Sequence, residues 1–268
     1  MKKDTFVRVP RLYLVGRPKI DNAAVSEFLS DEQTSWRRSA KQNSVDAEEL
    51  VELGGRTCYM SFGDAQSPRD LRAYIRNLVN MGHDSVLEHA TWTFVITGIS
   101  RAFSHQLVRH RVGFSFSQLS QQYHDETNAR FVIPEILRDQ ALEHLWEEFV
   151  ESARNAYVRL LQKLDTNTLS EFEKRERRRA LRSAARSLLP NATETKVVVT
   201  ANARAIRHFL FVRGGIVGDV EMRRVCALLL EHMKREAPTI FEDFEITTLT
   251  DGSPSIRLAK PGSGVGPK

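Results

Sequence analysis

Apolar positions recur along most of this chain with a helical period, and along a few short stretches with a period of two. In residues 11–17, Leu12, Leu14 and Gly16 alternate with Tyr13 and Val15, which predicts a strand. Residues 21–29 predict a short helix, 31–43 a polar connector, and 44–53 a helix closed by Gly54 and Gly55. Ser67 as N-cap, Pro68 in the first turn and Asp70 at the positive end predict a further helix, with Leu71, Ile75, Leu78 and Val79 inward and Gly82 after it. Trp92, Phe94 and Ile96 alternate with threonines and Val95 over residues 91–97, a half-buried strand whose aromatics belong to the core. Ser100 then caps a helix that pairs Phe103 with Leu107 and ends before Gly113.

The second half is richer in helix. Residues 129–134 predict a strand, and 138–164 a long helix carrying Leu142, Leu145, Trp146, Phe149, Ala156, Leu160 and Leu161 near helical spacing. The basic run KRERRRALRSAAR (174–186) follows Ser170 and Glu173, the pair that makes a capping box. A β-branched strand is predicted at 196–200, a helix at 203–212 presenting Arg204, Arg207 and His208 with Arg213 just beyond, and a last long helix at 219–236, stopped before Pro238. Gly252, Pro254, Pro261, Gly262, Gly264, Gly266 and Pro267 predict a flexible tail over residues 251–268. With neither an internal repeat nor a compositional break, the expectation is one α+β domain over residues 1–250, a sheet flanked by long helices.

Composition narrows the functional classes. The chain has 268 residues, 41% of them hydrophobic, and no apolar run of the roughly 20 residues needed to span a bilayer. The start, with Lys2 and Lys3, lacks the apolar core of a signal peptide, so a cytoplasmic location is expected. Cys58 and Cys226 are the only cysteines and are expected to be free thiols. A net charge of +5 favours anionic partners: nucleotides, cofactor phosphates or nucleic acid. The basic run 174–186 reads as a solvated helix face, with nucleic-acid binding as its rival, while Arg186 lies beside Leu188, Leu189 and Pro190 where the chain turns inward.

The densest candidate chemistry lies in SRAFSHQLVRHRVGFSFSQLSQQY, residues 100–123. Arg109, His110 and Arg111 are adjacent at a helix end, and a loop follows with Ser115, Ser117, Gln118, Ser120, Gln121 and Gln122, neutral groups suited to phosphate, ribose and pyrimidine edges. Cations offsetting a helix macrodipole before a polar surface loop would produce the same pattern. His83 and His89 are six apart, without the four-residue helical spacing of a zinc protease, so no metal is expected. The strand-turn-helix motif G-x-G-x-x-G is absent, which excludes a Rossmann cradle.

The run from Arg109 to Ser120 resembles the signature of the flavin-dependent thymidylate synthases (ThyX), in which Arg-His-Arg is followed after seven residues by Ser and then by an Arg-Tyr pair. GHDSVLEHATWTF (82–94), LLPNATET (188–195), NARAIRHFLFVR (202–213) and APTIFEDF (237–244) resemble that family in the same order, so the likeness covers residues 51–244. Two departures stand out: eight residues separate Arg111 from Ser120, and Gln122 occupies the place of the family's Arg. The resemblance implies FAD held by His89, Thr91, Arg109, His110, Arg111, Gln118, Asn202, Arg204 and His208. It implies a uridylate held by Gln106, Arg109, Gln118, Leu119, Ser120, Gln121 and Gln122, with Arg186 on its phosphate, and Arg213 as the catalytic cation beside the uracil ring. The implied reaction is reductive methylation of dUMP with methylenetetrahydrofolate and NADPH as co-substrates, in a homotetramer with shared active sites. The longer loop and Gln122 raise a second expectation, a looser nucleotide pocket that accepts UMP as well as dUMP. A nucleic-acid binder and an FAD-binding scaffold without turnover stay open as other classes, and within the enzyme class a paralogue that methylates UMP, or both UMP and dUMP, in modified-nucleoside biosynthesis.

Overall fold

The computed structural model describes residues 5–38, 45–137, 140–163 and 170–259. Ser44 and the expected helix ends at Arg138 and Leu164 lie outside these residues, as do part of the 31–43 connector and residues 260–268 of the expected tail. Helices and strands are mixed: β1 (Phe6–Val7), β2 (Arg11–Gly16), α1 (Asn22–Asp31), α2 (Asp46–Thr57), α3 (Leu71–Asn80), β3 (Thr91–Ser100), α4 (Arg101–Leu107), β4 (Phe114–Gln118), β5 (Phe131–Val132), α5 (Gln140–Gln162), α6 (Glu171–Ala185), β6 (Glu194–Asn202), α7 (Ala203–Arg213), α8 (Val220–Glu236), β7 (Phe244–Thr248) and β8 (Pro254–Leu258). Four strands hydrogen-bond in the order β2-β3-β6-β4. No helix among the described residues is long and apolar enough to cross a membrane.

Two compact units divide the described residues, one taking those of 1–11, 95–110 and 116–198, the other those of 12–94, 111–115 and 199–268. In the first, β1 pairs in parallel with β5, Phe6 opposite Phe131, and Trp146 of α5 packs on Phe6 with ring centroids 6.1 Å apart. Phe131 and Val150 are buried beneath that contact. Ser170 and Glu173 form both halves of the expected capping box on α6.

In the second unit Ile20, Trp36 and Phe62 form a core with Val25, Phe28, Leu29, Leu50 and Leu53, and Trp92 meets Phe241 edge-on at 6.3 Å. Helix α2 does not stop at Gly54 and Gly55 but runs on to Thr57. Both glycines answer to contact: a Cβ on Gly54 would lie 2.7 Å from Cδ2 of His89, and one on Gly55 2.6 Å from the Tyr74 hydroxyl. Arg56, in the turn beyond them, is fully buried, donates to Glu52 at 2.8 Å and 2.5 Å, and stacks 4.6 Å above the Tyr74 ring. Helix α3 starts three residues later than expected: Ser67 accepts from Arg69 N in a turn of its own, and Asp70 is the N-cap, accepting from Ala73 N at 2.8 Å. Gly82 closes it with φ +67°.

The tail is corrected by structure. Residues 254–258 form β8, antiparallel to β7 with Ile246 opposite Ile256, because Pro254 starts an edge strand and Ile256 has a buried place to fill. Buried Glu48 of α2 accepts from Thr239 N at 2.6 Å, Ile240 N at 3.2 Å and the Thr239 hydroxyl at 3.0 Å, fixing the APTIFEDF turn. Burial raises its carboxyl above the ordinary range, against those three hydrogen bonds.

Candidate functional site

In the first unit, α4 begins as expected, the Ser100 hydroxyl accepting from Phe103 N at 3.0 Å while Phe103 and Leu107 are buried. Gln106 is half-buried on its last turn, and the chain leaves through a turn in which Arg109 N and His110 N donate to the carbonyls of Gln106 and Leu107. Arg109 is exposed and His110 half-buried.

The polar segment after Gly113 is not a loop throughout: residues 114–118 are strand β4, with Phe114, Phe116 and Gln118 half-buried and Ser115 and Ser117 exposed. Two-residue alternation of aromatic and serine carries a strand even in a polar sequence. Past its end, Leu119 N donates to Lys196 O of β6 at 2.9 Å. Gln118 at the strand's end donates its amide to the Ser104 hydroxyl at 2.9 Å and to Thr195 Oγ1 at 3.2 Å. Ser104 itself donates to Arg101 O at 3.0 Å, so it can only accept from Gln118, and the amide nitrogen must face inward. The carbonyl oxygen is what Gln118 has left for a ligand.

Ser120 organises the next turn. Its hydroxyl accepts from Gln122 N at 3.3 Å, and its carbonyl accepts from Tyr123 N and His124 N. Leu119 and Gln122 are half-buried and Ser120 is exposed, while Gln121 is 6% exposed and its Nε2 has no partner among the described residues. Glu126, 4% exposed, has its Oε1 unpartnered, and His124 Nδ1 lies 3.8 Å away. Burial raises the Glu126 carboxyl, and His124, Arg101 and Lys196 pull it back.

Arg101 went unnoticed in the sequence, where it follows an N-cap serine and belongs to no cationic run. Its guanidinium is half-buried and lowered by desolvation; Glu126 opposes that shift, and the positive charge of Arg186 adds to it. Arg186, exposed in the 3-10 turn Arg186–Leu188, is one turn past Arg182, which donates to Tyr123 O at 3.1 Å; Arg179 stacks 5.4 Å over the Tyr123 ring. Part of the basic helix therefore holds the turn that follows Gln122.

The second unit holds the other group. His89 ends the 3-10 segment Asp84–His89 and Thr91 begins β3, both exposed. Arg204 donates to Glu88 Oε1 at 2.6 Å, which ties α7 to that segment and gives Glu88 a place in the site. Asn202 is the N-cap of α7, its Oδ1 accepting from Ala205 N at 2.9 Å. Arg204 and His208 stand on exposed positions one turn apart, and half-buried Arg213 is the last residue of the helix. Arg207, between them, is committed elsewhere: it pairs with Asp243 at 2.6 Å and stacks 5.0 Å over Phe244.

Arg111 O accepts from Phe114 N at 3.4 Å across a turn with Gly113 at φ +72°, the left-handed third position that a type II turn demands. Gly113 O accepts from Asn202 N at 3.2 Å. Beyond this turn the chain enters β4, whose end is followed by the Leu119–Lys196 bond.

Half-buried or exposed cations and partly or fully buried amides, with no G-x-G-x-x-G motif in the sequence, equip a protein of mixed helix and sheet to hold phosphorylated ligands through its side chains. Comparison with known proteins gives the family. The family model described as thymidylate synthase complementing protein matches residues 42–239. A flavin-dependent thymidylate synthase of Mycobacterium tuberculosis is 42% identical over 237 residues, covering 88% of this chain and 93% of that protein. One from Corynebacterium diphtheriae is 43% identical over 233 residues, 86% and 91% of the two chains. This chain belongs to the thymidylate synthase complementing protein family.

Proposed function

We propose that the protein is a flavin-dependent thymidylate synthase that methylates carbon 5 of dUMP, with FAD as cofactor, methylenetetrahydrofolate as one-carbon donor and NADPH as reductant. Beyond the family, the substrate reading is supported by half-buried Arg101 with Arg186 near it and, in the same unit, by buried Gln121, whose Nε2 has no partner among the described residues. A nucleotide monophosphate supplies an anion for the two arginines and an acceptor for that amide. Gln106, Arg109, Leu119, Ser120 and Gln122 complete the nucleotide set, and the inward amide of Gln118 leaves its oxygen to accept from the N3–H of a uracil. UMP is not retained as a substrate, because the relatives are named as thymidylate synthases, which act on dUMP.

The second group fits a flavin dinucleotide. Arg111, Arg204 and His208 are exposed cationic or ionisable side chains, Arg204 is oriented by Glu88, and Asn202, His89 and Thr91 add neutral donors and acceptors. With Arg109, His110 and Gln118 they would hold FAD, which when bound supplies the redox chemistry. Arg213 places a fixed cation where negative charge develops on the uracil ring and stabilises it. Phe211 and Val212, exposed just before Arg213, support burial of this helix face against another copy, as in a homotetramer with shared sites. The free thiols Cys58 and Cys226 suit the cytoplasm.

The test is direct. Purified protein should be yellow with a flavin spectrum, and should form dTMP only when dUMP, NADPH and methylenetetrahydrofolate are all present. Colourless protein that makes no dTMP after incubation with added FAD would overturn the proposal.

A further inference from the structure

The C-terminal hairpin lies beyond residue 239, where the family match ends, and it is built around the end of α7. Arg213 closes that helix without the left-handed glycine that ends many helices: Gly214 keeps a right-handed conformation, φ −65° and ψ −26°. Strand β8 holds the end instead. Gly214 N donates to Leu210 O at 2.8 Å, Ile216 N donates to Arg213 O at 3.2 Å, and Gly214 O accepts from Ile256 N at 2.9 Å. Residue 214 is glycine for contact, since a Cβ would lie 2.6 Å from Cβ of Ile256 and 2.5 Å from Leu210 O.

Arg223 of α8 closes the other side. It is 3% exposed, and its guanidinium donates from Nη1 to Ile216 O at 2.8 Å, from Nε to Pro254 O at 3.0 Å and from Nη2 to Ser253 Oγ at 2.5 Å. Asp251 Oδ2, 3.6 Å from Nη2, supplies the counter-charge, and Ser253 orients that carboxylate through its N–H and hydroxyl. A planar fork can join the segment after α7 to the start of β8 in this way; an ammonium cannot hold the three acceptors in one plane.

We propose that the hairpin β7–β8, clamped by Arg223 and seated through Ile256, is the positioning element for Arg213. This rests on the reading of Arg213 as the cation that faces the uracil. A helix end is the first part of a helix to fray, and a cation that acts through directed N–H bonds loses its effect when displaced by a fraction of an ångström. Pinning the carbonyls of residues 213, 214 and 216 removes that freedom from the backbone of Arg213.

The test uses full-length, FAD-loaded protein and four variants: Ile256→Ala, Ile256→Val, Arg223→Lys and, as reference, Arg213→Ala. Ile256→Ala and Arg223→Lys should lower kcat for dTMP formation by about tenfold or more with KM for dUMP nearly unchanged, the signature of a lost transition-state interaction. Flavin content and flavin reduction by NADPH should stay at wild-type levels, and Ile256→Val should restore kcat. If Arg223→Lys does not fold, Ile256→Ala and Ser253→Ala carry the same comparison. Wild-type kcat in both Ile256→Ala and the Arg223 or Ser253 variant, beside an inactive Arg213→Ala, would overturn the positioning role while leaving the reading of Arg213 intact. A parallel fall of kcat, flavin content and flavin reduction would also overturn it, by showing general damage. Full activity in Arg213→Ala would overturn the reading of Arg213, and the positioning role with it.

Discussion

Gly113→Ala tests the turn that leads into β4 and its contact with the start of α7. At φ +72° an alanine meets the left-handed penalty of about 1 to 2 kcal/mol. Its methyl would also lie 2.8 Å from Ala205 Cβ, 2.8 Å from Asn202 Nδ2 and 2.9 Å from Asn202 Oδ1, and none of these is the loose end of a long side chain. Forcing an atom into such a contact costs about 1 to 3 kcal/mol, and the same push loosens Oδ1 from Ala205 N, the cap of α7. The sum is about 2 to 5 kcal/mol, a drop of roughly 4 to 9 °C in Tm for a chain of this size. Gly82→Ala separates the two contributions: its φ is +67°, yet a Cβ there meets nothing within 4 Å, so only the backbone penalty applies. Thermal scans of both variants and wild type at one fixed FAD concentration give the comparison. Equal Tm losses for Gly113→Ala and Gly82→Ala would refute the contact with Asn202 and Ala205.

Four further outcomes are expected. Arg109→Ala and Arg111→Ala should each purify paler than wild type, having lost a charge-assisted contact to a pyrophosphate worth about 1.5 to 3 kcal/mol; full flavin absorbance after gel filtration in both would exclude that role. Arg101→Ala should weaken dUMP binding by about tenfold to a hundredfold in a calorimetric titration while flavin content holds, and an unchanged Kd would remove it from the phosphate site. Burial raises the folded-state pKa of Glu126, so its stabilising contribution is full below the ordinary carboxylate range, about pH 4.3, and is lost as pH rises through the raised value. Wild type should therefore lose Tm relative to Glu126→Gln as pH rises above about 4.3, and parallel Tm curves above that pH would contradict it. Gln122→Arg should tighten dUMP binding by about tenfold if the cation reaches the phosphate, which the same titration would measure.

Period and capping made the helices legible. Asp21, Ser100, Ser170, Asn202 and Asp219 all cap helices that their sequences announce, because a short polar side chain before an apolar period has one cheap use. Glycine was the weak signal. Gly82 ends a helix through its positive φ, whereas Gly54 and Gly55 lie inside α2 because His89 and Tyr74 come too close for any side chain. A sequence shows that a residue has no Cβ but not whether conformation or a distant neighbour requires it. The tail failed likewise: proline and glycine suggested disorder, and the partners that order residues 254–258 are Gly214 and Arg223, more than 30 residues away in the chain.

The candidate site divides along the same line. Runs such as Arg-His-Arg are visible because charge concentrates in sequence, but Arg101 acquires its character only from burial and from Arg186, which no local pattern encodes. Gln118 is visible in the sequence as a polar group, yet which of its amide atoms points inward depends on the Ser104 hydroxyl already donating to Arg101 O. Spacing is a different kind of signal. The eight residues between Arg111 and Ser120 show in sequence only as a number, and the chain divides them between the turn at Gly113, whose carbonyl accepts from Asn202 N, and strand β4, followed by the Leu119–Lys196 bond. A count of residues cannot tell a turn and a strand from a loop, because that difference is made by partners on β6 and at the start of α7, about 80 residues further along the chain.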